Sequence, residues 1–466
     1  MPTSALPMAL RRESFPADPD FPQLEIASDP RRMLEVFRTN LKPVTGQACF
    51  IEACTPVRFR CRQSGARCVL QYSVRVVDGG SGRRWDQWVT GVVYARRGEA
   101  ERLWRELEAD DSCRDIPEPW RSFEPVDFIP DLGMLVQVFP FDRRLPNLLH
   151  VLGGGSRRPG PPLWAGLGPD PWSASGHALE PIRYRSELGA ILKHARQSRG
   201  VRDAERPRHY LKVYRNDRGR NTFEVLQQLA ARERDRWTGY SVVRPIAYVA
   251  ELRTLALEEA PGVTLQRLLG DGRDHTATVH LVARAVASFN RDTLPLAWSH
   301  SRAEQLADVE RASRLVAWAR PDLRAEVEAI TNAMAAGLHD VAPTPIHGDL
   351  KPDHIFLAGE RVTFIDLDSA ALGDPVRDPA HLFAHLVARV GLDSISLEQA
   401  LAAAAAFAEE YLRHVPRAWR QRFPLHCAGA LLEVAGGIFK RQEPEWPARV
   451  AVAIAQARTA LSGAIP

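Results

Sequence analysis

The stretch that decides the fold is IHGDLKPDHIFL, residues 346–357, followed after the turn AGER by VTFIDLDSAALGDP, residues 362–375. Its pattern predicts a loop that holds one acid, Asp349, then a short hairpin, then a second acid, Asp366, at a strand end. The hairpin would bring both carboxylates to neighbouring strand ends. Two converging carboxylates are what metal-assisted phosphoryl transfer requires, because one positions the attacking hydroxyl and the other anchors the metal.

The composition around this stretch is that of an ordinary globular protein. The chain has 466 residues, 45% hydrophobic and 25% charged, which predicts two to four domains. No apolar run approaches the ~18 residues of a membrane span, and the first residues lack a secretory signal layout. We therefore expect a cytoplasmic protein with no membrane partner. A net charge of +4 without charge blocks gives no indication of a nucleic-acid partner.

Cysteine and lysine usage narrow the candidate sites. Four cysteines, at positions 49, 54, 61 and 68, fall in a strand-rich stretch without a C-x-x-C pair. Reduced strand cysteines are the favoured interpretation, and a zinc site or disulfide knot is the alternative. Lysine occurs at only five positions, 42, 193, 212, 351 and 440. Because lysine is so rare in this chain, a lysine inside a motif favours a specific role over chance occurrence.

Segments rich in Gly and Pro, together with the hydrophobic patterns between them, divide the chain into five predicted blocks. Residues 1–30 are predicted to be a loose leader, and residues 31–152 an N-terminal α+β domain. Residues 153–176 form a Gly/Pro-rich linker, residues 177–262 a small strand-rich lobe, and residues 263–466 a mainly helical lobe.

The N-terminal domain and the small lobe share landmarks at one offset. Val92 precedes Lys212 by 120 residues, and Leu135, Leu145 and Leu149 precede Leu255, Leu265 and Leu269 by the same distance. We interpret this as a tandem duplication of one α+β unit, with chance similarity as the alternative. Because valine replaces the lysine, the first copy is predicted to be a structural or substrate-covering domain.

The motifs HGDLKPDH and FIDLDSAALGDPVRDPAHL resemble those of the aminoglycoside phosphotransferase and choline kinase family, from about Leu179 to the C-terminus. The resemblance implies an α+β, two-lobed, protein-kinase-like fold with a small antiparallel β lobe and a mainly helical C-terminal lobe. The N-terminal domain would then resemble a duplicated small lobe.

The resemblance also implies roles for individual residues of the loop and hairpin. Asp349 would be the catalytic aspartate, and Lys351 would contact the transferred phosphate unless it is a solvated surface lysine. Asp366 would bind the metal, and Asp368 would either reach a second metal or face solvent. Three further residues would brace the loop: His347, Asp374 and Asp378.

In the small lobe, Lys212 would bind the nucleotide phosphates, with Glu224 as its ion-pair partner. The segment Glu258–Gly262, including Glu259, would receive the adenine through backbone groups. No P-loop motif occurs, so the turn in RYRSELGAILK, residues 183–193, must cover the phosphates with Gly189 as its only glycine.

The sequence departs from the family pattern at His354, a position where members of the family commonly have asparagine. The resemblance implies ATP as the nucleotide, with GTP as an alternative, and Mg²⁺ as the metal. Because imidazole suits manganese better than magnesium, His354 makes Mn²⁺ an alternative metal. Whether His354 ligates the metal directly or hydrogen-bonds a metal-bound water stays open.

The function that these features predict is ATP-dependent transfer of the γ-phosphoryl group to a hydroxyl of a small molecule. An aminoglycoside, a sugar or an amino alcohol is the expected acceptor, and the sequence does not choose among them or indicate an oligomeric state. A catalytically inactive kinase-like module that binds nucleotide or a partner is the alternative. A protein kinase fits least, because DLD replaces D-F-G and no A-P-E segment follows.

Overall fold

The computed structural model describes residues 15–61, 67–109, 116–117, 120–153, 177–196, 208–235 and 238–463. The chain divides into two compact units. The first comprises residues 1–140, 315–323 and 436–452, and the second comprises residues 141–314, 324–435 and 453–466. The predicted linker lies outside the described residues except for Gly153. The predicted first domain extends twelve residues beyond the break at residue 140, and the other domain boundaries stay predictions.

A five-stranded antiparallel sheet forms the centre of the first unit, in the order β1-β2-β3-β5-β4. Its strands are β1 Cys49–Cys61, β2 Arg67–Asp78, β3 Arg84–Tyr94, β4 Val126–Ile129 and β5 Met134–Val138. The helices of this region are α1 Leu24–Ala27, α2 Pro30–Asn40 and α3 Glu99–Glu108. Helix α2 begins where the Asp29 carboxylate accepts hydrogen bonds from two backbone N–H groups of the first turn, with Pro30 as the first helical residue.

The predicted loose leader is wrong from Phe15 onward. Phe15, Phe21 and Leu24 are buried, and the ring of Phe15 lies 4.5 Å from that of Phe59. The Tyr72 hydroxyl donates a hydrogen bond to the carbonyl of Ala27. Scattered apolar residues among Pro and Asp have no periodicity to reveal this packing, which depends on side chains distant in sequence. Residues 1–14 lie outside the description.

The second unit contains another five-stranded antiparallel sheet, in the order β10-β11-β8-β7-β6. Its strands are β6 His177–Arg185, β7 Gly189–Arg196, β8 Arg208–Tyr214, β10 Pro245–Val249 and β11 Thr254–Glu258. Helix α4, Asn147–Val151, precedes this sheet in the chain, and helix α5, Arg218–Asp235, follows β8.

Short strands between and among the later helices frame the site. They are β9 Ser241–Val242, β12 Val263–Thr264, β13 Thr344–Ile346, β14 Ile355–Ala358, β15 Arg361–Phe364 and β16 Ala371–Gly373. Strands β14 and β15 form the predicted hairpin between the two acids, and β13 pairs with β16. The acids therefore follow β13 and β15.

The remaining chain is helical, as predicted. The helices are α6 Leu265–Leu269, α7 Thr276–Asn290, α8 Arg302–Ala319, α9 Arg324–Gly337, α10 Arg377–Val387, α11 Leu397–Arg413, α12 Arg417–Lys440 and α13 Trp446–Leu461. Apolar residues of α7, α10 and α11 form much of the buried core behind the site. Within the described part, none of the helices combines the length and the apolar character that a membrane span requires.

The two sheets confirm that the N-terminal domain resembles a second copy of the small lobe. Val92 pairs with Leu135 in the first sheet, and Lys212 pairs with Leu255 in the second. The turn between β4 and β5 has a positive φ at Gly133, and the turn between β10 and β11 has a positive φ at Arg253. Strand order, pairing register and turn conformation thus agree at the 120-residue offset found in the sequence.

Candidate active site

The loop after β13 is held by one buried carboxylate. Asp378, in the first turn of α10, accepts hydrogen bonds from the backbone N–H groups of His347 (2.7 Å) and Gly348 (2.9 Å). The Asn290 side-chain amide donates to the same carboxylate at 2.9 Å. Gly348 has φ +78°, and a Cβ there would lie 2.4 Å from the carbonyl oxygen of Ser369. The loop backbone therefore requires glycine at this point.

His347 joins this loop to the second acidic segment. Its buried ring donates from Nε2 to the carbonyl of Ile365 at 2.8 Å, one residue before Asp366. At the other ring nitrogen, Nδ1 accepts a hydrogen bond from the backbone N–H of Asp349 at 3.4 Å. The ring links two backbones and has no nitrogen available for a substrate.

Asp349 lies on the accessible side of the loop, with 40% of its side chain exposed. Lys351 Nζ lies 3.1 Å from its Oδ2, and the lysine side chain itself is largely buried. Burial raises the pKa of Asp349, but the opposing effect of Lys351 and neighbouring histidines is stronger and leaves the pKa below its usual range. Asp349 is therefore ionised at neutral pH.

Asp366 lies two residues after the end of β15, in the left-handed conformation with φ +62°. This is unusual for a residue other than glycine, although aspartate tolerates it better than most. The turn directs the carboxylate toward both His354 and Lys212. Burial raises the pKa of Asp366, yet the charge of Lys212 outweighs burial and holds the pKa well below the usual range.

Lys212 bridges the two acids of FIDLD. Its ammonium contacts Asp366 Oδ1 and lies 2.7 Å from Asp368 Oδ2, with 15% of the side chain exposed. Burial lowers the pKa of Lys212, but the two carboxylates raise it above the ordinary lysine range. Lys212 is therefore a charged and largely buried group inside the site.

Asp368 is held rather than solvent-facing. It accepts hydrogen bonds from the Tyr214 hydroxyl at 2.8 Å and the Thr222 hydroxyl at 3.1 Å. Sequence reasoning did not single out Tyr214 or Thr222. The signal available was their position, since Tyr214 lies two residues after Lys212 on the same strand face and Thr222 lies in the next helix.

His354 completes a cluster with both acids. Its ring is only 3% exposed, and Nδ1 donates to the carbonyl of Asp349 at 2.9 Å. Burial, assisted by the charge of Lys351, lowers the pKa of His354 to about 4, so the ring is neutral at pH 7. Nε2 is then unprotonated and lies 3.3 Å from Asp366 Oδ2. Ligand atoms of Asp349, His354 and Asp366 lie within 4.8 Å of one another, as a shared metal ion requires.

Two predicted nucleotide residues are placed differently from the expectation. Glu224 is exposed, and in the described part of the chain Lys212 forms its ion pairs with Asp366 and Asp368 instead. Its position in α5 directs it to solvent. Glu259 is also exposed, and its backbone N–H already donates to the carbonyl of Arg208. Adenine recognition by the N–H of Glu259 would therefore require that bond to break.

Asp374 braces a helix rather than the loop. Its carboxylate pairs with Arg422 Nη2 at 2.8 Å and lies 3.2 Å from His426 Nε2, both on α12. Burial raises the pKa of Asp374, but the proximity of His426 and the hydrogen bonds from Arg422 outweigh burial and hold this pKa below the usual range. The predicted contact with the loop is made by Asp378 and not by Asp374.

Comparison with known proteins finds one matching family model and several similar solved structures. The model of the phosphotransferase enzyme family matches residues 195–425. Among solved structures, a choline/ethanolamine kinase family protein from Mesorhizobium loti is 13% identical, with 61% of this chain and 88% of that chain covered and a TM-score of 0.41. An aminoglycoside-3'-phosphotransferase of type VIII is 18% identical, with coverages of 55% and 94% and a TM-score of 0.39. The amicoumacin kinase hAmiN is 13% identical, with coverages of 60% and 87% and a TM-score of 0.41. No curated protein matches the chain.

Proposed function

Because residues 195–425 of this chain match the model of the phosphotransferase enzyme family, we propose that the chain transfers the γ-phosphoryl group of ATP to a hydroxyl group of a small molecule. The observation that carries the proposal is the convergence of Asp349, His354 and Asp366 within 4.8 Å, beside Lys212 and Lys351. Phosphoryl transfer depends mainly on positioning and on compensating phosphate charge, and this cluster supplies groups for both.

Asp349 is proposed to orient the acceptor hydroxyl. Its ionised carboxylate is exposed enough to accept a hydrogen bond from that hydroxyl, and its lowered pKa makes it a weak base. A weak base suits a loose transition state, in which the hydroxyl proton moves late. Lys351, 3.1 Å away, would stabilise charge on the transferred group.

The donor set fits a divalent cation. Neutral His354 presents Nε2, and Asp366 presents Oδ2 only 3.3 Å away, so two acceptors face each other without a proton to share. Asp366 and His354, with an oxygen of Asp349 within reach, would hold Mg²⁺ or Mn²⁺. When bound, such an ion would neutralise negative charge on the nucleotide phosphates.

Lys212 is proposed to bind the nucleotide phosphates. Its ammonium is already desolvated and paired with Asp366 and Asp368, so arriving phosphates and a cation would exchange partners with it. ATP is the proposed donor, with GTP as an alternative. The proposed acceptors are aminoglycosides, sugars and amino alcohols, and the protein is proposed to act in the cytoplasm.

The proposal is tested by incubating the chain with γ-labelled ATP, Mg²⁺ or Mn²⁺, and a panel of aminoglycoside, sugar and amino-alcohol acceptors. Label is expected in at least one acceptor class, and Asp366→Asn should abolish the transfer. Calorimetry on the same preparation measures ATP binding. A chain that binds neither ATP nor the metal-nucleotide complex would contradict the proposal.

A further inference from the structure

The turn between β6 and β7 adopts a conformation that its sequence does not favour. Ser186 and Glu187 are buried, and Glu187 has φ +61°, a region normally taken by glycine. The first glycine is Gly189, where the backbone of β8 approaches so closely that a Cβ would lie 2.6 Å from the carbonyl oxygen of Val213. Something outside the turn must therefore hold it in place.

Asp142 provides that support. The side chain is 2% exposed, and its Oδ2 accepts hydrogen bonds from the Glu187 N–H at 2.6 Å and the Tyr184 hydroxyl at 2.8 Å. Its Oδ1 accepts from the backbone N–H of Arg144 at 2.8 Å. Arg144 Nε in turn lies 3.6 Å from the buried carboxylate of Glu187. One carboxylate thus fixes both the strand before the turn and the strained residue within it.

The strand register places this turn beside the candidate active site. Arg185 lies opposite Gly189, and Gly189 lies opposite Tyr214, whose hydroxyl contacts Asp368. Directly opposed residues of antiparallel strands share a sheet face, as do residues two apart on one strand. Arg185 therefore lies on the face that carries Tyr214 and Lys212, and Gly189 leaves space between.

Arg185 is an exposed residue, although its guanidinium is partly desolvated. Burial and the neighbouring charge of Arg183 lower the pKa of Arg185, whereas Asp349, Asp366 and Asp368 lie within electrostatic range of its guanidinium and raise this pKa. None of the described residues forms a hydrogen bond or an ion pair with the Arg185 guanidinium. The planar guanidinium presents a fork of N–H donors that matches the oxygens of a phosphate group. Its position near the acids of the candidate active site places this donor group where a nucleotide phosphate would bind.

We propose that Arg185 binds a phosphate group of the nucleotide and that Asp142 positions the turn that presents it. This inference rests on the proposed function, because it requires ATP to occupy the site. Arg185 replaces by charge what a glycine-rich turn supplies through backbone N–H groups, and Asp142 provides the rigidity that glycine does not.

The experiment compares binding of ATP and of adenosine to the full chain by calorimetry with Mg²⁺ present. Arg185→Met should weaken ATP binding about tenfold or more and leave adenosine binding within about twofold, because only ATP carries the phosphates. Arg183→Met is the matched control, since Arg183 lies two residues earlier on the same face of β6, and its ATP affinity should change less than about threefold.

Asp142→Asn should weaken ATP binding by about threefold to tenfold in the native chain, but by less than about twofold when combined with Arg185→Met. Such non-additivity is expected only if Asp142 acts through Arg185. Equal ATP affinities for Arg185→Met and Arg183→Met would overturn the assignment of Arg185. Equal losses for ATP and adenosine in Asp142→Asn would overturn the positioning role. If the native chain binds no ATP, both this inference and the proposed function fail, whereas ATP binding without phosphoryl transfer contradicts only the latter.

Discussion

Replacing Asp378 with asparagine should loosen the loop that carries Asp349. The Asp378 carboxylate is buried and accepts three hydrogen bonds, two of them from consecutive loop N–H groups at His347 and Gly348. Asparagine has nearly the same shape but only one carbonyl oxygen. If that oxygen keeps the donors of His347 and Asn290, the new amide group must face the N–H of Gly348.

The size of the effect follows from the bond that is lost. A hydrogen bond to a charged group stabilises by about 1.5–3 kcal/mol, and each 1.4 kcal/mol corresponds to a factor of about ten. Amide exchange at Gly348 should therefore accelerate about tenfold to hundredfold. Because a displacement of about 1 Å can cost a hundredfold in rate, phosphoryl transfer should fall by about ten- to a hundredfold as well.

Hydrogen exchange followed by mass spectrometry of peptides that cover residues 346–350 measures the effect directly. Asp340→Asn is the control, because Asp340 is exposed near the same segment, and this variant should exchange like the native chain. Unchanged exchange of the loop amides in Asp378→Asn would refute the reasoning that the carboxylate holds the loop.

Three other changes have definite expected outcomes. Gly348→Ala should lower phosphoryl transfer at least tenfold, because φ +78° and the close oxygen of Ser369 leave no space for a methyl group, and near-native kinetics would exclude this steric requirement. His354→Asn should shift the manganese-to-magnesium activity ratio toward magnesium, and an unchanged ratio would show that the imidazole does not ligate the metal. Glu224→Gln should leave ATP affinity, measured by calorimetry, within about twofold of native, because the exposed Glu224 does not pair with Lys212. A tenfold loss of affinity would instead support the ion pair predicted from the sequence.

Local sequence patterns predicted the hairpin and the repeated sheet well. The motif around Asp349 and Asp366 encodes a loop, two short strands and a strand end within a few residues, so local pairing determines their proximity. The duplicated sheet was visible for a related reason. A pairing such as Val92 with Leu135 recurs as Lys212 with Leu255, and a repeated sequence preserves a register that neither copy reveals alone.

Contacts between distant segments were not predictable in the same way. The ion pairs of Lys212 depend on how β8 meets the segment after β15, and the sequence offered Glu224 as an equally reasonable partner. Asp374 and Asp378 lie four residues apart, yet one contacts α12 and the other the loop, because helix α10 begins between them. Only the path of the chain separates these two roles.

Asp349 is proposed to serve the transfer of the phosphoryl group and not the binding of ATP. The direct measurement is single-turnover transfer from labelled ATP to a responsive acceptor, together with calorimetry of ATP binding. It compares Asp349→Asn with Glu360→Gln, which changes an exposed acid in the turn between β14 and β15. We expect Asp349→Asn to reduce the transfer rate by about a hundredfold or more while ATP affinity stays within about threefold, and Glu360→Gln to behave like the native chain. Native transfer rates in Asp349→Asn would contradict the account.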